Sequence, residues 1–322
     1  MLDRSITELT LDSSPHIHTA ESTDRLMGDV LLALCPAIAV AGVLFGWRAL
    51  LLIAVCVGTS VLAEYVVCRL RNRPSTVRDL SAAVTGVILA LNLPVTVHPM
   101  IAVIGSVAAI VVVKQLFGGL GQNFVNPAAT ARVILLVSFP AAMSRWVEPF
   151  YYRTGSLADA VTTATPLATG EADYLRLAVG VHGGCIGETC ALALLLGGVY
   201  LILRRVISPV IPLCFLGTLA GLTWALGGDG LAAVLSGGAM LGAFFMATDY
   251  VTSPITFGGK IVFGIGCGLI TVLIRQFGAL AEGVSYAIVL MNVLTPHIER
   301  MTMPRAFGTP RPAKRTKGGA AK

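Results

Sequence analysis

The chain has 322 residues, of which 55% are hydrophobic and 12% charged, with a formal net charge of +6 and a mean hydropathy of +0.81. Soluble domains carry about a quarter charged residues, so these values exclude a domain solvated by water on all sides. They also exclude nucleic acid as the reason for the positive balance: the basic residues fall between apolar runs and in the C-terminal tail, where orientation in a membrane accounts for them.

Residues 1–25 carry Asp3, Glu8, Asp12, Glu21 and Asp24, unlike the basic start of a secretion signal, and are expected to form a cytoplasmic segment. Apolar runs follow near 26–46, 49–67, 80–93, 99–116, 127–143, 189–203, 206–226, 231–247, 261–278 and 284–298. They predict an all-α polytopic membrane protein of about ten transmembrane helices. Several runs fall short of the roughly 20 residues that span a bilayer core. The shortest, 80–93 and 189–203, are expected to be broken or half-inserted helices.

The basic residues set the orientation. Arg69, Arg71, Arg73 and Arg78, then Arg204 and Arg205, Lys260, and finally Arg300, Arg305, Arg311, Lys314, Arg315 and Lys317 share one side if the N-terminus is inside. Both termini are then expected in the cytoplasm, with the interval 144–188 outside. An internal echo links Lys114-Gln-Leu-Phe-Gly-Gly-Leu120, ending the fourth run, to Arg275-Gln-Phe-Gly-Ala-Leu280, ending the ninth. It predicts two inverted five-helix repeats, 26–143 and 189–299, flanking the outer loop and followed by a basic cytoplasmic tail, 300–322. Such repeats place sites at their interface near the midplane. Gly197-Gly198 and Gly237-Gly238 suit close helix packing. Seven scattered cysteines without CxxC read as packing residues, and five histidines show no metal spacing, so no metal site is expected.

The long polar interval contains Asp159-Ala-Val-Thr162-Thr163-Ala-Thr165-Pro166-Leu-Ala, flanked by Gly155 and Gly170 and therefore expected as loop. Pro166 disfavours the α region at Thr165, which leaves its hydroxyl approachable beside the small Ala164. Thr165 is thus a candidate acceptor of a covalent group, although Thr, Ala and Pro are also ordinary loop residues.

Ionisable residues in apolar runs are costly, and function is the default reading there. Glu64 lies near the cytoplasmic end of its run, within reach of Arg69. Glu188 is placed to favour the dipole of the sixth helix from its first turn. Asp249, with Thr248, Thr252 and Ser253, offers oxygen ligands to a hard cation or terminates the eighth helix. Glu188 and Asp249 are the candidates for an ion path; Asp29 and Asp79 lie at run ends. Arg132, inside the fifth run, needs a carboxylate or an anionic head group. Trp47, Trp146 and Trp224 are expected as interface anchors. The tail after Arg305 is expected to meet anionic lipid.

Four segments carry a resemblance: Gly118-Gly-Leu-Gly-Gln-Asn-Phe-Val-Asn-Pro-Ala128, Gly187-Glu188-Thr189, Ala247-Thr-Asp249-Tyr-Val-Thr-Ser-Pro254, and Glu282-Gly-Val-Ser-Tyr-Ala-Ile-Val-Leu-Met-Asn292. From about Asp24 to Gly308 the chain resembles the NqrB/RnfD family, and its modest length is more similar to the RnfD side. The resemblance implies a membrane subunit of a complex that moves electrons between ferredoxin and NAD and couples them to Na⁺ or H⁺ transport. It implies FMN joined through its phosphate to the last threonine of a Ser/Thr-Gly-Ala-Thr motif. Here the matching residues are Thr162-Thr163-Ala164-Thr165, so Thr165 is the implied attachment residue. Thr163 departs from the usual glycine, and Thr162 and Thr163 stay open as acceptors. Riboflavin or a second non-covalent flavin is possible by the same analogy. Implied partners are the other Rnf subunits (A, B, C, E and G types), a flavin transferase and membrane lipid, in the inner membrane. The alternatives are an NqrB-like subunit of a Na⁺-pumping NADH:quinone oxidoreductase, a flavin-free secondary transporter or a cofactor-free scaffold.

Overall fold

The computed structural model describes residues 22–73, 76–154, 173–236, 238–278 and 283–304. The principal helices are α1 (Thr23–Phe45), α2 (Trp47–Leu70), α3 (Ser81–Leu91) and α4 (Pro99–Val107), which continues as π-helical turns over Ala108–Gln115. They continue with α5 (Pro127–Ser138), α6 (Ala191–Leu203) and α7 (Val210–Ala225). Helix α8 (Gly230–Leu235) breaks at Ser236 and resumes over Ala239–Leu241 and the π-helical Gly242–Met246. Two long helices, α9 (Phe257–Phe277) and α10 (Val284–Thr302), complete the set. Among the described residues α1, α2 and α9 are long and apolar enough to cross a membrane, while α3 to α7 are shorter apolar helices.

Local chemistry fixes the starts. Asn126 caps α5 by accepting from Ala128 N (3.0 Å) and Ala129 N (3.1 Å), with Pro127 in the first helical position, where its missing N–H costs nothing. Asp229 caps α8 through Leu231 N and Ala232 N, and Thr256 caps α9 through Gly259 N. Asp229 also accepts from the Tyr174 hydroxyl (2.6 Å), which holds its carboxyl below the ordinary 3.8.

The predicted runs and the helices part company where a breaker intervenes. The run 127–143 is one helix only to Ser138, because Pro140 opens a separate turn, Pro140–Met143. The run 231–247 is interrupted at Ser236, and Gly238 takes a left-handed φ of +69°. Conversely, Pro36 and Pro296 are carried inside α1 and α10. In lipid, apolar burial drives little helix association, so close backbone approach supplies the attraction. A Cβ on Gly197 would come within 2.2 Å of Ala33 O, which brings α6 onto α1 as the Gly197-Gly198 pair suggested.

The second half packs in the order of the first. Helix α2 lies against α3 and α4, and α7 against α8 and α9; α4 packs on α5, and α9 on α10. Contacts of α1 with α6 and of α5 with α10 join the halves. Trp47 (70% exposed) and Trp224 (77%) stand on the outside of the bundle, as anchors would.

Candidate functional site

Among the described residues, two buried ion pairs lie inside the bundle. The first is centred on Arg132 of α5 and Glu188, 3% and 4% exposed. Glu188 is delivered by a stretch that folds back to the end of α3: Ile186 N donates to Leu93 O (2.9 Å) and Gly187 N to Leu91 O (2.8 Å). Gly187 is required there, since a Cβ would stand 2.5 Å from Leu91 Cβ. The Glu188 carboxylate accepts from Arg132 Nη1, which also donates to Asn92 Oδ1; Arg132 Nη2 donates to Cys185 Sγ (3.3 Å). The same carboxylate lies against Gly238 in the break of α8, where a Cβ would be 2.4 Å from Glu188 Oε1. Arg275 donates to Ala233 O (2.7 Å) and Ser236 O (3.2 Å) beside that break, and its charge also acts on Glu188.

Glu188 therefore sits between two guanidinium groups where two short helices end. This differs from the expected first-turn position. Helix α6 starts at Ala191 with Cys190 as its cap, so Glu188 precedes the helix and its carboxylate is committed to Arg132. Arg132 has the carboxylate that its place in an apolar run demands.

The second pair joins Glu64 of α2 to Lys114 (2.8 Å), rather than to Arg69. Glu64 Oε1 also accepts from Thr76 Oγ1 (2.7 Å) and Gln115 Nε2 (3.1 Å), and Lys114 Nζ donates to Ser81 Oγ (2.7 Å). The π-helical turns set this up, because an i+5 stretch re-aims the side chains that follow it. Lys114 and Arg275, which sit in the two copies of the sequence echo, are a buried and a half-buried cation, each bonded within its own half of the bundle. Lys114, Asn92, Thr76 and Ser81 were not singled out as site residues by sequence. A lysine closing an apolar run was the available signal for the first of them.

Lys114 and Ser81 also line a cavity of about 90 Å³, with Asn123, Asn126, Phe244 and Asp249 on its wall. Asp249 accepts from Thr252 Oγ1 (3.1 Å). Thr248, by contrast, turns its hydroxyl to Phe244 O (2.6 Å). Aromatic rings, two amides, an ammonium and a carboxylate on one wall offer a flat apolar face with polar groups at its edges. From the cavity, contacts run inward: Asn126 Nδ2 donates to Met246 O (3.0 Å), and Asn92 Nδ2 lies 3.5 Å from Met246 Sδ. Asn92 Oδ1 then accepts from Arg132, which holds Glu188. These contacts link the cavity wall at Asn126 to Glu188, while Asp249 shares that wall and bonds to Thr252.

Asp29 accepts from Tyr200 Oη (3.0 Å) and Arg204 Nη2 (3.2 Å), a peripheral clamp between α1 and α6. Thr162, Thr163 and Thr165 lie outside the described residues.

The sequence pattern of the NQR2, RnfD, RnfE family matches residues 10–308. The chain is 52% identical over 318 residues to the D component of the Na⁺-translocating ferredoxin:NAD⁺ oxidoreductase complex of Acetobacterium woodii, covering 96% of this chain and 98% of that one. It is 44% identical over 325 residues to the D component of the proton-translocating ferredoxin:NAD⁺ oxidoreductase complex of Clostridium ljungdahlii, covering 94% and 97%. The D component of the ion-translocating oxidoreductase complex of Stutzerimonas stutzeri is 40% identical over 327 residues, covering 89% and 92%. With a family match over most of its length and relatives aligned nearly end to end, this membrane chain belongs to the NQR2, RnfD, RnfE family.

Proposed function

We propose that the chain is the D component of an ion-translocating ferredoxin:NAD⁺ oxidoreductase complex in the inner membrane. The observation that carries this reading is identity of 52% to such a component over almost the whole of both chains. Its partners are the A, B, C, E and G components, a flavin transferase that matures it, and lipid. Both termini lie in the cytoplasm and the loop 144–188 outside, an orientation that the distribution of basic residues supports. That loop carries FMN as a phosphoester of Thr165, with Thr162 and Thr163 as the alternative hydroxyls.

The flavin supplies transfer of one or two electrons, which no side chain provides. The chain's own residues supply position and charge. Thr165 tethers the group so that it is not lost between turnovers. Asp249, at the cavity wall, receives the cation, and Glu188, held by Arg132, carries negative charge further in. A second, non-covalent flavin entering at this cavity would meet Phe244 on its ring and Asn123 and Lys114 at its polar edges.

In-gel flavin fluorescence of the denatured protein tests the attachment, because only a covalent flavin survives denaturation. The wild type is expected to fluoresce when produced with its transferase, and Thr165→Ala to be dark. The mass of the peptide spanning 154–176 reports FMN directly. A bright Thr165→Ala protein with a dark Thr163→Ala one would move the site, and an unmodified wild-type peptide would overturn it.

A further inference from the structure

We infer that the aromatic step Phe150–Tyr151–Tyr152, together with Arg153, is the dock on which a flavin ring tethered at Thr165 rests, an inference that depends on the attachment proposed above. The step is built into the turn between α1 and α2. Phe150 N donates to Leu44 O (2.7 Å), and the Tyr152 hydroxyl donates to Val43 O (2.8 Å). The Tyr152 ring lies on Gly46, where a Cβ would stand 3.0 Å from it. One face of the ring is thereby closed, while the residue remains 38% exposed. Phe150 and Tyr152 have centroids 6.4 Å apart at 52°, and Tyr151 packs edge-on to Tyr152. The Arg153 guanidinium stands 4.7 Å from the Phe150 centroid and 5.9 Å from that of Tyr152.

Two features separate this from an ordinary ring of interface aromatics. Anchoring tyrosines sit at the head-group level with the polar tip toward water, whereas Tyr152 turns its hydroxyl back to a carbonyl of α1. Phe150 has φ of +62°, a left-handed conformation that a bulky residue holds only when its surroundings over-determine it. A strained residue beside a half-covered ring and an exposed cation suits a planar ligand that gains negative charge on reduction.

The chain itself names the occupant. Residues 155–172 begin two positions after Arg153, and Thr165 follows Arg153 by twelve, a reach of at most about 42 Å at full extension. Tethering over so short a span holds the ring at an effective concentration on the order of millimolar. A modest stacking contact is then enough to keep it docked.

The test uses the full-length chain matured by its transferase and compares flavin emission in the native and the denatured state, after subtracting the emission of Thr165→Ala. Stacking quenches flavin emission, so Tyr152→Ala is expected to brighten the native protein. The ratio of docked to free ring falls by about two- to tenfold, the range an aromatic contact accounts for. Tyr152→Phe, which keeps the ring and loses only the phenol and its bond to Val43, leaves the flavin docked and its midpoint potential at the wild-type value. Arg153→Gln leaves the denatured signal unchanged and moves the flavin midpoint potential to a more negative value, a shift that merely structural damage does not predict. Equal denatured signals with unchanged native emission in Tyr152→Ala would overturn the dock and leave the attachment standing. An unshifted potential in Arg153→Gln would do so too, even if Tyr152→Ala failed to fold. A dark wild type in the denaturing gel would remove the attachment, and the dock with it.

Discussion

At Arg132 a guanidinium is held away from water by α3, α5 and the Ile186–Glu188 stretch, with its charge answered by Glu188 and its hydrogen bonds by Asn92 and Cys185. Removing one partner leaves the other charge buried without compensation, which costs about 3–5 kcal/mol, whereas replacing both by apolar residues of similar volume is close to neutral. Glu188→Ala is therefore expected to destabilise the detergent-solubilised protein by about 3–5 kcal/mol, and Arg132→Met alone by a similar amount. The double variant Arg132→Met/Glu188→Leu should recover most of that loss in thermal unfolding. A double variant no more stable than either single one would show that Arg275 or Asn92, rather than the pair, sets the energetics of this centre. Both partners were legible as costly residues in apolar runs, Arg132 by its need of a carboxylate and Glu188 by its place after Gly187. Their pairing was not, because nothing local in a sequence shows that residues 183–188 fold back into the bundle.

Among the elements, that fold-back is the one most exposed to a single substitution. Gly187 N bonds to Leu91 O, the last carbonyl of α3, and Ile186 N to Leu93 O just beyond it, so this stretch caps a helix from which intrahelical partners have run out. Gly187→Ala forces a methyl against Leu91 Cβ, with no flexible side-chain end to yield. It is expected to cost about 1–3 kcal/mol, as insertion into a packed site does. Differential scanning of the purified protein should show a lower transition temperature, and amide exchange should rise at residues 186 and 187 before it rises in α2. Unchanged exchange there would show that the cap tolerates the displacement. Breakers explain where sequence reading of the elements held and where it slipped. Pro140 and Ser236–Gly238 divide runs that hydropathy reads as continuous, yet Pro36 and Pro296 pass through helices unbroken because packing overrides a missing bond.

Across the whole molecule, the packing of α2 on α3 and α4 and of α4 on α5 is matched by α7 on α8 and α9 and α9 on α10, and the cavity opens where the π-helical end of α8 and the start of α5 face each other. Lys114 and Arg275 each close a run with the same motif, Lys114 buried against Glu64 and Arg275 half-buried beside the break of α8. The cavity itself was beyond sequence: Ser81, Lys114, Asn126 and Asp249 come from four segments that only the fold brings together. This arrangement separates two tasks within the proposed function. A flavin on the loop 144–188 is remote in sequence from Asp249, so charge at the cavity can be removed without touching the attachment. Asp249→Asn keeps the volume and the hydrogen bond from Thr252 but deletes the negative charge that a cation needs. In vesicles carrying the complete complex, ion uptake driven by ferredoxin-dependent NAD⁺ reduction should fall at least about tenfold, equivalent to about 1.4 kcal/mol of lost interaction. In-gel flavin fluorescence should remain at the wild-type level. Uptake at the wild-type rate would exclude Asp249 from the ion path, whereas loss of both signals would place the defect in assembly rather than in transport.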